Sequence, residues 1–239
     1  MSPVLADLAD LVLPGSCAGC GVERTRLRRG ACPACVTELE ALAPYACAPS
    51  PPPPGFPPCV AVGPYAGTLR GALLAYKQRG RHRLARPLGA LLAGAVAPLA
   101  PRGRPVLLVP VPSTRAARRD RYGDHMARLA GHAANRLRAA GWTVAVVQPL
   151  TALPRPDSTS LGPAARSTAA VNSLRINPAR IGVLRRGDAM RGTLVVADDI
   201  VTTGATLAAA VRRLEEAGMQ VTGAAVLAAT QLRRSCPGI

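Results

Sequence analysis

Aromatic rings are scarce in this 239-residue chain: four Tyr, one Phe and one Trp, at Tyr45, Phe56, Tyr65, Tyr76, Tyr122 and Trp142. Rings so scattered argue against a stacking platform for nucleic-acid bases. In a chain that is 49% hydrophobic they also leave Ala, Val and Leu to build the core. Acidic residues are few, thirteen against thirty basic ones, and Lys77 is the single lysine among the basic residues. The first thirteen residues carry Asp7 and Asp10 but no Lys or Arg, the reverse of a secretory leader. The longest apolar stretch, Leu84 to Pro101, is broken by Arg86, Pro87 and Pro98, so no membrane helix is expected. These absences lead to the expectation of a cytoplasmic chain without membrane insertion.

The length suggests one or two domains and is enough to bury a sizeable core. The formal charge is +17 with a pI near 11.2, which points to phosphate in some form as partner. The excess is one-sided along the chain. Residues 1–60 hold four Arg against five acids, whereas residues 61–239 hold 26 basic residues against eight acidic ones.

Seven cysteines in a chain without an export signal suggest metal more than disulfides. Cys17-Ala-Gly-Cys20 and Cys32-Pro-Ala-Cys35 are two C-x2-C knuckles separated by eleven residues. Two such knuckles on facing turns supply the four thiolates of a tetrahedral zinc site, with bonds of about 2.3 Å. A zinc site closed by four protein ligands has no open position for chemistry, so Cys17, Cys20, Cys32 and Cys35 predict a scaffold or contact module. Cys47 and Cys59 flank a proline run and stay unassigned, and Cys236 reads as a bystander. The run from Ala48 to Gly55 reads as an extended polyproline linker. A boundary near residue 58 follows, giving a zinc-ribbon-like segment with its linker at 1–58 and a second domain at 59–239.

From Val60 onward, short β-like runs alternate with helical patterns, the pattern of an α/β fold with a mostly parallel sheet and flanking helices. The expected strands are Cys59–Val62, Val106–Val111, Thr143–Leu150, Thr193–Ala197 and Val221–Ala228. Leu69/Ala72/Leu73/Tyr76, Met126/Leu129/Ala130/Ala133/Leu137 and Leu207/Ala210/Val211/Leu214 each give a helix one apolar face. Residues 151–170 lack periodicity and read as a long loop, a candidate lid.

The most informative stretch runs from Leu194 to Leu207. Its strand ends in two adjacent carboxylates, Asp198 and Asp199, and a loop of Thr202, Thr203, Gly204, Ala205 and Thr206 opens into a helix expected over Leu207–Ala217. Backbone N–H groups, threonine hydroxyls and a positive helix end then surround one point, which suits a phosphate. The carboxylates sit at the carboxyl edge of the sheet, where open α/β folds bind ligands, and suit sugar hydroxyls. The stretch lacks both the lysine of a P-loop and the glycine spacing of a dinucleotide site.

This stretch resembles the binding signature for 5-phosphoribosyl 1-pyrophosphate (PRPP) of type I phosphoribosyltransferases. With the cysteine knuckles in front of it, the chain resembles the ComF family (competence protein F), in which a zinc ribbon precedes a phosphoribosyltransferase domain. The resemblance spans nearly all of the chain. It implies that Asp198 and Asp199, the candidate catalytic pair, bind the ribose hydroxyls and that 202–206 hold the 5-phosphate. It also implies Mg²⁺ carried on the pyrophosphate and ribose oxygens. Val109-Pro110-Val111-Pro112-Ser113-Thr114-Arg115 is similar to the family's V-P-V-P segment at the pyrophosphate loop, making Ser113 and Arg115 candidate donors. Lys77 falls where the family carries a Lys before a Gly-containing turn; a compact ammonium suits phosphate where a guanidinium does not fit.

The chain also departs from the family. Arg121-Tyr122-Gly123-Asp124-His125 stands where relatives read R-G-F-N-Q or R-G-H-D, so Tyr122 replaces a glycine, and His125 is open between a loop surface and a catalytic role. Asp157-Ser158-Thr159-Ser160-Leu161, with Arg166 and Ala169 later, lacks the family's Gln, Gly and Asn. PRPP binding is therefore better supported than turnover. The expected function is Mg²⁺-dependent phosphoribosyl transfer to an unknown acceptor. The alternative is a protein of DNA uptake that handles single-stranded DNA and binds PRPP without turnover. The oligomeric state is left open.

Overall fold

The computed structural model describes residues 15–23, 26–120, 123–153, 173–185 and 192–230. In chain order the first half gives α1 (Pro33–Glu40), β1 (Tyr45–Ala46), β2 (Cys59–Pro64), α2 (Gly67–Gln78), α3 (Ala85–Val96), β3 (Val106–Pro110), α4 (Arg115–Asp120) and α5 (His125–Ala139). Then follow β4 (Val144–Val146), β5 (Leu150–Ala152), β6 (Leu174–Ile176), α6 (Pro178–Arg185), β7 (Thr193–Val201), α7 (Ala205–Glu216) and β8 (Gly223–Ala229).

Val106 to Val109 and Leu194 to Ala197 are apolar at every position, so neither run can turn a face to water. They are the neighbouring parallel strands β3 and β7 at the centre of a six-stranded sheet of order β1-β2-β8-β7-β3-β4. All neighbours in it are parallel except β1 and β2. Alternation splits the core in two. Val106, Leu108, Val195 and Ala197 face the side covered by α2, α3 and α5, while Leu107, Val109, Leu194 and Val196 face α7 and the small antiparallel pair β5–β6.

The helices follow their apolar spacing. Met126, Leu129, Ala130, Ala133 and Leu137 are the buried stripe of α5, and Asp124 caps its first turn by accepting the N–H groups of Met126 and Ala127, both at 3.1 Å. The interrupted stretch expected not to cross a membrane is α3, a helix buried at Leu88, Leu92, Ala93 and Val96. Among the described residues no helix is long and apolar enough to span a bilayer. Each fully buried leucine of α3 stabilises by about 1.5–3 kcal/mol. Small residues let these helices meet closely: a Cβ on Gly89 would lie 2.5 Å from His132 Cβ.

Several expectations change. The single strand expected over Thr143–Leu150 is two, β4 and β5, because Pro149 has no N–H for a ladder and the chain turns there into the second sheet. β7 does not stop at Ala197. It runs to Val201 because β8 keeps pairing with it, Asp198 opposite Val226 and Val201 opposite Ala229, so both carboxylates lie within the strand. The helix after it starts at Ala205 rather than Leu207. Residues 151–152, expected in the long loop, belong to β5; most of that loop, at 154–170, lies outside the described residues. The proline run is no extended spacer: Phe56 N–H returns to Pro53 O at 3.1 Å, and the chain folds back so that β1 and β2 pair antiparallel at the sheet edge.

Two features position the site. After β3 the chain passes through α5 to β4 on one side, and after β7 it passes through α7 to β8 on the other. Between β3 and β7 the connections diverge, and their carboxyl ends bound a crevice. The cysteine knuckles, meanwhile, sit directly on α2. A Cβ on Gly71 would run into Gly19 O and lie 2.9 Å from Ala18 O.

The expected outcome of Gly71→Ala is a loss of about 1–3 kcal/mol, because two carbonyls would have to move. Gly131→Ala, in α5 with nothing within 4 Å of the added methyl, should instead gain about 0.5–1 kcal/mol. Urea unfolding of the two variants checks both signs.

Candidate functional site

Asp199 is buried at the carboxyl end of β7, 5% exposed. Its Oδ2 accepts from Lys77 Nζ at 2.7 Å and faces His125 Nε2 at 2.9 Å. Burial alone would raise the carboxyl; the His125 hydrogen bond and the Lys77 charge outweigh it and hold Asp199 at about 2. Lys77 comes from the last turn of α2 and His125 from the first residue of α5. The other ring nitrogen, His125 Nδ1, is 2.9 Å from Ser113 Oγ in the loop after β3. Tyr76, one turn residue before Lys77, donates its hydroxyl to His125 O at 2.9 Å and fixes α2 against α5. Asp198 is half-buried, and its Oδ1 accepts the Asp199 N–H at 2.9 Å.

These groups line a cavity of about 220 Å³ at the crevice between β3 and β7. Of the residues expected in the site, the structure brings Lys77, Ser113, Asp198, Asp199 and Thr206 together there. Thr202 and Thr203 are exposed on the adjoining loop, where Thr203 Oγ1 accepts the Ala205 N–H at 3.4 Å. Gly204 is buried at φ +73°, the left-handed region that a side chain resists. A Cβ there would lie 2.7 Å from Phe56 and from Pro49, so the proline-rich segment is seated against the loop. Ala205 begins α7 beside it. Arg115 is exposed at the start of α4 and does not line the cavity. Arg121, Tyr122, Asp157 to Leu161, Arg166, Ala169 and Cys236 lie outside the described residues.

Two contributors were not resolved by sequence. His125 is buried at the centre of the site, not on a loop surface. The available signal was its place directly after a helix-capping Asp, at the start of the helix that leaves β3 at the sheet's carboxyl edge. Ala152, Ser173 and Leu174 supply a wall of the cavity from β5 and its approach to β6; strands of three residues are too short to show a period.

Residues 161–236 match the phosphoribosyl transferase domain family. The match covers less than half of the chain and includes Asp198, Asp199 and the loop 202–206. No curated protein matches the chain. The fold agrees with such a domain, a mostly parallel sheet with flanking helices, and the four-cysteine cluster lies N-terminal to it.

In that cluster the Sγ atoms of Cys17, Cys20, Cys32 and Cys35 all lie within 4.8 Å of one another. The Cys20–Cys32 separation is 3.8 Å, close to the edge of about 3.8 Å that a tetrahedron with 2.3 Å zinc–sulfur bonds requires. Burial pushes Cys17 up, but the N–H groups of Cys32, Cys20 and Gly19 outweigh it and bring the thiol down to about 6. Cys35 is raised to about 12 by burial and by its three sulfur neighbours. A divalent cation would relieve that crowding, so the residues fit zinc. Thr68 on α2 donates to the Glu38 carboxylate, and its Oγ1 lies 3.6 Å from Cys35 Sγ, tying the cluster to the helix that carries Lys77. Cys47 and Cys59 take no part. Cys47, directly after β1, sits beside Cys59, the first residue of β2, with Cys47 N–H on Cys59 O at 2.8 Å.

Metal analysis should find about one zinc per chain, and Cys32→Ser should lose it together with thermal stability. Asp199 makes a separate prediction. Its carboxyl is lower in the folded chain (about 2) than its ordinary 3.8, so its contribution is complete above about pH 4 and lost as pH falls toward 2. That contribution is about 2 kcal/mol. Urea unfolding between pH 5 and 2 should therefore show a shallower acid loss in Asp199→Asn than in the parent chain.

Proposed function

We propose that the chain binds PRPP and transfers its phosphoribosyl group, with Mg²⁺, to an acceptor offering a nitrogen nucleophile. In this reading residues 1–58 are a zinc-bearing module with its proline-rich segment, residues 59–239 are the transferase-like domain, and the whole resembles the ComF family. Cytoplasmic residence suits the reduced thiols of a four-cysteine site. The observation that carries the proposal is the meeting of Asp198, Asp199 and Thr206 from the matched segment with Ser113 and Lys77 in one cavity at the switch point.

Asp198 and Asp199 would accept the ribose 2- and 3-hydroxyls. The loop Thr202, Thr203, Gly204, Ala205 and Thr206, at the positive end of α7, would take the 5-phosphate. Ser113 would meet the pyrophosphate, with Arg115 reaching it only if the ligand extends past the cavity. Among the described lining residues the formal charges are two carboxylates against one ammonium, so a polyanion entering alone would meet net negative charge. The cavity thus fits a ligand that brings its own divalent cation. Bound Mg²⁺ would neutralise the pyrophosphate as it leaves. The chain's own part is to hold the sugar by its hydroxyls and phosphate, so that the ring carbon faces the acceptor while pyrophosphate departs.

The alternative, single-stranded DNA handling, draws on the 26 basic residues of the second part. The described aromatics Tyr45, Phe56, Tyr65, Tyr76 and Trp142 are all buried or half-buried, which leaves backbone contacts as the mode of binding.

Calorimetry should show PRPP binding that needs Mg²⁺ and weakens at least tenfold in Asp198→Asn and in Asp199→Asn. Equal binding by these variants would sink the assignment. Release of pyrophosphate from PRPP when nucleobases or DNA are supplied separates turnover from binding. Retention of single-stranded DNA without a salt slope would remove the alternative.

A further inference from the structure

Cys47 and Cys59 belong neither to the four-cysteine cluster nor to the cavity lining. The antiparallel register of β1 and β2, Tyr45 opposite Ala61 and Ala46 opposite Val60, puts Cys47 opposite Cys59 one residue further along, where Cys47 N–H bonds Cys59 O at 2.8 Å. Directly opposed residues of an antiparallel pair send their side chains to the same face, with Cα atoms about 4.5–5.5 Å apart. A disulfide spans Cα separations of about 4.4–6.8 Å, so a small approach of the two side chains bridges them. Both thiols are buried in the core layer that faces α7.

The two thiols are unequal. The hydrogen bond from Cys59 is the main influence on Cys47 and, helped by Ala61 N–H, holds it below the ordinary thiol value against burial. Cys59 is pushed up, by that bond first and then by burial and by the charges of Cys47 and Asp198. One proton thus lies between two sulfurs, with Cys47 the thiolate and Cys59 the thiol. Among the described residues the four-cysteine cluster is the only grouping of three or more metal-ligating side chains, so the pair lacks the further ligands of a metal site.

The segment between the two cysteines, residues 48–58, carries seven prolines, which have no N–H to anchor it. It is exposed at Ser50, Pro51, Pro52, Pro54 and Gly55, and its opening bares the pair without parting β2 from β8. Its Pro49 and Phe56 are the groups from which a Cβ on Gly204 would lie 2.7 Å. A bond from Cys47 to Cys59 closes this segment into a ring at its base.

We propose that Cys47 and Cys59 form a reversible disulfide that fastens the proline-rich segment against the loop 202–206. The oxidant is a small disulfide of the glutathione type. The Cys47 thiolate attacks one of its sulfurs and displaces the other half as a thiol; Cys59 then gives up its proton and attacks Cys47 Sγ, displacing the second half. Two electrons and two protons pass from the cysteine pair to the oxidant, which leaves as two thiols. Neither step depends on what the cavity binds.

The test holds the full chain with zinc in reduced or oxidised glutathione, blocks free thiols with an alkylating agent and cuts after Glu40 and Arg70. Residues 41–70 contain no Asp, Glu, Lys or Arg before Arg70, and Cys47 and Cys59 are their only cysteines. After oxidation that peptide should be lighter by two hydrogens and carry no alkyl group, and dithiothreitol should restore both alkylation sites. The oxidised chain should melt at a higher temperature than the reduced one, and amide exchange at 202–206 should slow. Cys59→Ser should show neither change. A peptide that takes two alkyl groups after oxidation overturns the proposal, as does one that stops as a glutathione adduct on Cys47. A disulfide that forms while exchange at 202–206 stays unchanged overturns the fastening. Should Cys59→Ser not fold, the peptide mass and the exchange of the parent chain, with and without dithiothreitol, still decide.

Discussion

A carboxylate taken out of water has to be matched where it stands, or the fold carries a cost of several kcal/mol. Asp199 is such a group, and its matching draws in most of the elements around the site. Lys77 brings the end of α2, His125 brings the start of α5, and His125 in turn fixes the Ser113 loop. Tyr76 locks the two helices to each other at the same level. Because α2 is also the helix on which the cysteine cluster sits, through Gly71 and Thr68, the cluster and the cavity share one helix.

The scarcity of rings has a structural counterpart. With Ala and Gly at so many core positions, helices and loops approach each other at backbone distance, as at Gly89 against α5 and Gly71 against the first knuckle. The same closeness reaches the loop 202–206, where Gly204 lies against the chain's only phenylalanine and against Pro49. The proline-rich segment thus lies directly behind that loop.

Charge is the property in which whole-chain composition and local site disagree most. The chain carries +17, yet the described lining of its cavity carries two carboxylates and one ammonium. Arginines such as Arg79, Arg83, Arg86 and Arg115 are exposed, where solvent screens them, and the described cavity lining contains none of the arginines.

Much of this was legible in the residues themselves. Strand cores, helix stripes, the paired knuckles and the Asp-Asp-to-Thr-Gly-Ala-Thr segment are short-range patterns set by periodicity and by the needs of local backbone, and they appear in the structure near their expected places. The extension of β7 through Asp198 and Asp199 was not legible, because it depends on β8 continuing to pair beyond the apolar run. Nor was the fold-back of the proline run onto the sheet edge, or the division of Thr143–Leu150 between two sheets. The placement of His125 was hidden for the same reason: Ser113, His125 and Asp199 are separated by 12 and 74 positions and meet only when β3, α5 and β7 converge. The sequence by itself determined which chemical groups the protein owns and which local elements carry them. Only the tertiary structure decided which of those groups share a buried space, because burial arises from contacts between distant segments.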